Sequence, residues 1–323
     1  MKTVQEAAKQ ISDAERILIV CHVSPDGDAI GSMLGLGLTL SEAQKRVILC
    51  CADPVPSQYR YLPHWETIAR SCSERCDLLV TLDCSDLDRL GAVYDPSTLH
   101  DVPIVNIDHH TTNVEFGDVN WVEPEAAATA QMLVRLVHGL GISLNADIAT
   151  CLLTGILTDT LGFRTSATTP EVMETAIQLM KAGASLPELT DRIFGRRPMR
   201  TIEMWATTLQ NLHLEGHILW TEITQRMRRR IGYQENGDAG LANFLSTANE
   251  ADIAIIFDEQ QDGQVNVSMR CVPGYDVSQV AFDLGGGGHA QAAGCTLSGP
   301  LEGARTRVLS MLQKSWSMQN SSR

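Results

Sequence analysis

The segment His22-Val23-Ser24-Pro25-Asp26-Gly27-Asp28 places one imidazole and two carboxylates within seven residues. It follows directly on Ile17-Leu18-Ile19-Val20-Cys21, an apolar run that reads as a strand buried on both faces. Pro25 and Gly27 make a turn, and Asp28 stands where a helix N-cap is expected. Capping accounts for one aspartate and leaves His22 and Asp26 unexplained. Carboxylate oxygens suit hard divalent cations, and an imidazole extends the choice toward Mn or Zn.

Three more elements finish on the same residue types. Asp83 ends the apolar run 77–85, Asp108-His109-His110 follows the strand pattern at 102–107, and Asp159 closes the apolar helix 146–161. Singly, each has an ordinary reading as a turn or helix-end group. Together they would bury many carboxylates at the end of one sheet, which is costly without cations to compensate them. In the second half, Gly285-Gly286-Gly287-Gly288-His289 and Arg270 suggest a phosphate cradle, since glycine N–H groups can approach an anion without side-chain obstruction. A flexible loop is the competing reading. Arg164 is a weaker anion-binding candidate.

The elements that must position these groups are predicted as follows. Strands are expected at 17–21, 45–51, 77–85 and 102–107, with a short edge strand at 121–122. Helices are expected at 29–43, 125–139, 146–161 and 170–182. Such alternation implies an α/β fold built on a doubly wound parallel sheet. Residues 189–211, with four arginines and the Gly195 and Pro198 breaks, read as a helical linker. Beyond it lies a smaller α/β domain with strands at 218–223, 251–257 and 264–270, a hairpin signal at Asp262-Gly263, and helices at 277–282 and 302–315. The expected division is 1–188, a metal-binding catalytic domain; 189–211, the linker; and 212–323, a substrate-binding domain. Residues 318–323 are expected to be disordered.

The whole-chain balance narrows the partners. A formal net charge of −14 argues against a protein that grips long duplex nucleic acid through its phosphates, but leaves short oligonucleotides open. The basic run Arg226-Met227-Arg228-Arg229-Arg230 is the exception, a surface that could track a longer backbone. No apolar stretch is long enough for a membrane span. The nine cysteines are scattered and read as free thiols of a cytoplasmic protein.

In order along the chain, His22 to Ala29, Asp83, Asp108-His109-His110 and Thr158-Asp159-Thr160 match the four motifs of the DHH phosphoesterases. Val267-Ser268-Met269-Arg270, the Gly285 to His289 run and Ala292-Ala293-Gly294 resemble the DHH-associated C-terminal domain. Length and domain content resemble the bacterial nanoRNase and pAp phosphatase type within that family. The resemblance implies two Mn²⁺ ions, with Mg²⁺ or Co²⁺ as substitutes. His22, Asp26 and Asp83 would hold one ion; Asp28, Asp83, His109 and Asp159 would hold the other, with Asp83 bridging. It further implies that Asp108 orients His109, that His110 contacts the phosphate or assists the leaving group, and that Arg270, Gly286, Gly287, Gly288 and His289 bind substrate. The implied substrates are short RNA and pAp; pApA, cyclic di-AMP and pyrophosphate hydrolysis are the enzymatic alternatives, and a nucleotide sensor is the non-enzymatic one. A homodimer is left open. Ala127-Ala128-Thr129-Ala130-Gln131 stands where the family often has Ser and Glu, which bears on substrate preference.

Overall fold

A computed structural model of the protein describes residues 2–72, 74–234 and 237–321. The chain divides into two compact units, Met1–Arg196 and Arg197–Arg323. The division falls inside the segment expected as a linker. Leu189 belongs to the first core and Met204 to the second.

In the first unit the order is α1 (Lys2–Asp13), β1 (Arg16–Cys21), α2 (Gly27–Glu42), β2 (Arg46–Cys50), β3 (Leu78–Leu82), α3 (Pro96–Leu99), β4 (Ile104–Asp108) and β5 (Val119–Val122). Then come α4 (Thr129–Gly139), α5 (Ala146–Asp159), α6 (Pro170–Lys181) and α7 (Leu186–Thr190). The five strands form a parallel sheet in the order β2-β1-β3-β4-β5. Cys21 pairs with Leu82, and Leu82 with Ile107, so His22, Asp83 and Asp108 leave the sheet side by side at its C-terminal edge. The chain turns one way from β1 to β2 and the other way from β3 onward. That reversal is the switch point where open α/β sheets bind ligands.

The two faces of this sheet are covered unequally. Ile17, Ile19, Val80 and Ile107 pack beneath residues of α1, α2, α4, α5 and α6. Leu18, Val20 and Leu79 are covered instead by Leu90, Val93 and Leu99, from α3 and a short 3-10 segment.

Two local expectations change. The helix after the first strand starts at Gly27, and its N-cap is Asp26, whose Oδ1 accepts the N–H groups of Asp28 and Ala29 at 3.0 Å each. Extended backbone at Asp26 lets the helix begin two residues earlier than expected, which places Asp28 inside the first turn. The helix expected from residue 125 begins at Thr129, after an extended Ala128. Close packing of α2 on α5 requires Gly155: a Cβ there would lie 2.4 Å from Asp28 Oδ1 and 2.6 Å from Ala130 Cβ.

The second unit contains α8 (Met199–Leu209), β6 (His213–Glu215), β7 (Ile218–Ile223), α9 (Gln225–Ile231), α10 (Leu241–Leu245), β8 (Ile253–Glu259) and β9 (Gln264–Cys271). It ends with α11 (Ser278–Asp283), β10 (Gly287–His289), β11 (Ala292–Ser298) and α12 (Leu301–Ser321). Its mixed sheet runs β10-β11-β9-β8-β7-β6, with β7 and β8 parallel and the other pairs antiparallel. Val265, Val267, Met269 and Cys271 alternate into a core with residues of α11 and α12. Ala254 and Ile256 face a second core with residues of α8, α9 and α10. The last helix continues to Ser321, correcting the expected disorder from residue 318; residues 322 and 323 lie outside the described residues. Strand β11 was missed, although Ala293, Cys295 and Leu297 alternate with period two.

The expected basic surface at 226–230 is broken at its centre. Arg228 is buried, and its Nη2 donates to both oxygens of Asp258 at 2.7 Å, while its guanidinium lies over the Tyr233 ring. All nine cysteines are free thiols, and no helix among the described residues is long and apolar enough to cross a membrane.

Candidate active site

The sheet edge brings the other five sequence-predicted ligands together around Asp83. Asp83 adopts φ 56°, a left-handed conformation that aspartate tolerates, and its N–H continues the ladder to Ile107 O at 3.0 Å. Its two oxygens face different histidines. Asp83 Oδ2 lies 3.5 Å from His22 Nε2, and Asp83 Oδ1 lies 3.5 Å from His109 Nε2. His22 Nε2 is also 3.8 Å from Asp26 Oδ1. His109 Nε2 is 3.1 Å from Asp159 Oδ2 and 3.9 Å from Asp28 Oδ2. Donor atoms of His22, Asp26 and Asp83 lie within 4.8 Å of one another, as do those of Asp28, Asp83 and His109.

Backbone carbonyls aim both imidazoles. His22 Nδ1 lies 2.7 Å from Val23 O, and His109 Nδ1 lies 3.1 Å from Ala126 O. A carbonyl only accepts, so in each ring Nδ1 carries the proton and Nε2 is turned toward the carboxylates. This geometry revises the expected role of Asp108. Its Oδ1 holds His110 Nδ1 at 2.7 Å and accepts the His109 backbone N–H at 2.9 Å, while Oδ2 accepts from Asn113 Nδ2 at 2.6 Å. The His109 ring is oriented by Ala126 O, and the Asp108 carboxylate sets the His110 imidazole. A backbone carbonyl has no sequence signature.

Burial makes the cluster electrostatically demanding. Asp28, Asp83 and Asp108 are each at most 1% exposed, and His22 and His109 are 4% exposed. Burial, followed by the charges of Asp83 and Asp159, pushes the Asp28 carboxyl well above the usual carboxylate range. Burial likewise raises Asp159 to about 6, against the opposing pull of His109. For His22, burial would lower the pKa, but Asp26 and Asp83 outweigh it and raise it to about 10. For Asp83, burial raises the carboxyl and the flanking histidines more than reverse it, holding it well below the usual range. Carboxylate oxygens and two aimed imidazole nitrogens are a donor set that fits divalent cations.

Thr129, in the segment expected to bear only on substrate preference, instead touches two of the predicted ligands. Its hydroxyl donates to Asp83 Oδ1 at 3.1 Å, its N–H to Asp28 Oδ2 at 2.6 Å, and the N–H of Ala130 to Asp28 Oδ1 at 2.9 Å. The one available signal was a helix start, Ala128-Thr129, whose Ala128 brings no capping side chain.

The second unit aligns the anion-binding candidates by register. Arg270 pairs with Ala292, and Ala292 with His289, so Arg270 and His289 stand on one face, two strands apart, with only an alanine between them. Arg270 Nε donates to Asn243 Oδ1 at 2.5 Å and Nη1 to Met269 O at 2.9 Å. The glycines serve different purposes. A Cβ at Gly286 would lie 2.1 Å from Gly294 O, and one at Gly288 would lie 2.5 Å from Ala292 O. Both positions are therefore required by the β10-β11 pairing. Gly287 has open space around its Cα and leaves the backbone approachable. Arg164 is exposed and donates from Nε to Leu161 O at 2.7 Å, closing the turn after α5.

A parallel sheet whose strand ends converge on a shared aspartate, followed by a unit carrying an arginine and a glycine-histidine hairpin, defines a DHH phosphoesterase scaffold. The chain belongs to this family: residues 16–156 match the DHH family N-terminal domain, and residues 230–316 match the DHHA1 domain. It is 38% identical to the bifunctional oligoribonuclease and PAP phosphatase NrnA of Thermus thermophilus, across 97% of this chain and 94% of that protein. The NrnA of Bacillus subtilis is 27% identical across 92% of this chain and 93% of its own length. In fold, the chain is similar to the crystal structure of an exopolyphosphatase-related protein from Bacteroides fragilis. That likeness has a TM-score of 0.88 at 23% identity and covers 99% of this chain and 98% of that one.

Proposed function

We propose that the protein is a metal-dependent phosphoesterase that hydrolyses short oligoribonucleotides and pAp. The observation that carries this reading is the Asp83 carboxylate, whose two oxygens face His22 and His109 respectively. His22, Asp26 and Asp83 would hold one divalent cation, and Asp28, Asp83, His109 and Asp159 the other. Mn²⁺ is the preferred ion, with Mg²⁺ or Co²⁺ as substitutes. Such a pair, when bound, lowers the pKa of water and neutralises charge on phosphoryl oxygens. His110, fixed at Nδ1 by Asp108, meets the scissile phosphate or the departing oxygen. Arg270, Gly287 and His289 take the phosphate that is not cleaved, which favours short substrates with a terminal phosphate.

The substrate assignment is supported by the 38% identity to a protein named for both activities, across nearly the full length of each. The test is a panel of pAp, pApA, di- to pentanucleotide RNA, cyclic di-AMP and pyrophosphate, each assayed with Mn²⁺ and with chelator. The expected result is metal-dependent turnover of pAp and the shortest RNAs, with rate per molecule falling as RNA lengthens. Pyrophosphate as the best substrate, or undiminished degradation of long RNA, would overturn it.

A further inference from the structure

Asp83 can face two ways only if its carboxylate is held in rotation. The terminal torsion of aspartate is broad, so the side chain itself does not select an orientation. The Thr129 hydroxyl donates to Asp83 Oδ1 at 3.1 Å, closer than the three histidine nitrogens that face the carboxylate, those of His22 and His109 at 3.5 Å and of His110 at 3.6 Å. Thr129 is fully buried and opens α4, so its own N–H belongs to the set that a helix leaves without intrahelical partners. That N–H donates to Asp28 Oδ2, the Ala130 N–H donates to Asp28 Oδ1, and Ser32 Oγ donates to Asp28 Oδ1 at 3.1 Å. Asp28 therefore caps a helix that begins 101 residues further along the chain. One residue thus touches both the Asp83 carboxylate, which faces His22, His109 and His110, and the Asp28 carboxylate, which faces His109.

We propose that Thr129 is a positioning residue for the paired-cation site: its hydroxyl fixes the Asp83 carboxylate in the orientation in which both cations could share it, while its N–H fixes Asp28. This inference rests on the two-cation reading above. The side chain touches neither substrate nor reacting atoms, and acts through the carboxylates. Removing the hydroxyl while keeping the N–H would free Asp83 to rotate, and the two ions would cease to share it.

The experiment compares wild type, Thr129→Val and Thr129→Ser, all as full chains, by Mn²⁺ titration calorimetry and by low-temperature EPR. Wild type is expected to bind two Mn²⁺ per chain with the spectrum of an exchange-coupled pair. Thr129→Val should lose about ten- to a hundredfold in Mn²⁺ affinity, the range seen when a group orienting a ligand is removed. Its spectrum should become that of uncoupled ions, and kcat should fall while KM stays near wild type. Thr129→Ser retains the donor and should keep the coupled spectrum and an affinity close to wild type. A Thr129→Val protein with wild-type affinity and a coupled spectrum would overturn the proposal. So would equal losses in the valine and serine variants, including a shared drop in metal-free melting temperature, because that pattern reports packing at the helix start. Failure of the wild type itself to bind two ions would instead refute the two-cation reading, and the inference with it.

Discussion

The acidic edge of the first unit and the glycine-histidine edge of the second unit solve opposite electrostatic problems by different structural means. At the first edge, residues from β1, β3, β4, α2 and α5 are brought together from five places in the chain, and His22, His109, Asp28 and Asp83 are each held by a hydrogen bond with a residue outside the ligand set. Val23 O and Ala126 O aim the imidazoles; Thr129, Ala130 and Ser32 hold the carboxylates. At the second edge, Arg270 and His289 are aligned by the register of a single sheet, and two glycines exist to let that register form. Convergent carboxylates repel one another and must be anchored one by one. Arg270 and His289 bring no such carboxylate repulsion: strand pairing sets their spacing, and Asn243 Oδ1 and Met269 O hold the guanidinium. Changes to the predicted cation ligands and the groups that anchor them should therefore affect cation binding, and changes at the second edge should affect only capture of the substrate.

The sharpest way to break this contrast is Asp83→Ala. It should abolish turnover on every substrate and remove the coupled Mn²⁺ signal while the protein remains folded by circular dichroism. Wild-type-like rates in Mn²⁺ would end the shared-ligand assignment. Asp108→Asn keeps the shape of a fully buried side chain but weakens its hold on His110. The expected loss is about ten- to a hundredfold in kcat with Mn²⁺ affinity nearly unchanged. A loss of metal affinity as large as the loss of rate would mean that Asp108 serves the cations and not His110.

On the other edge, Arg270→Ala should lower kcat/KM by about tenfold or more for substrates with a second phosphate, the scale of a lost charge-assisted hydrogen bond. Mn²⁺ binding should be unaffected, and a substrate lacking the second phosphate should be turned over almost as before. Equal damage to both substrate types would collapse the distinction between the edges. The smallest expected effect is that of Gly155→Ala, which places a methyl group against Asp28 and Ala130. Overpacking of this kind costs about 1–3 kcal/mol of stability. Denaturant titration should detect it, and Mn²⁺ affinity should fall with it because Asp28 is displaced. A stable variant with unchanged affinity would show that the helices can separate without moving the ligand.

Much of this is legible in the sequence. Apolar runs ending abruptly on Asp or His located β1, β3 and β4, and the shared chemistry of those endings predicted a cation site at one sheet edge. The second unit was less legible. Strand β11 was overlooked because its alternating residues are small, and β10 because glycines carry no pattern. The arginine run read as a surface, since nothing local announces that Asp258, 30 residues later, draws Arg228 into the interior.

By itself, the sequence determined which side chains could bind cations or phosphate and on which strand ends they would fall. Side-chain type and a two- or 3.6-residue period are local properties, readable without a partner. The tertiary structure alone decided that Asp26 caps α2 while Asp28 caps α4, that Asp108 serves His110, and that Thr129 turns Asp83 between two histidines. Each of those outcomes is a choice among donors and acceptors. Several of the partners lie far apart along the chain: Thr129 lies 46 residues from Asp83, and 101 from Asp28. Even the local ones depend on backbone conformation and on which neighbours packing supplies. A buried carboxylate takes whatever donor the packing of helices presents, and only the folded arrangement of α2, α4 and α5 presents these.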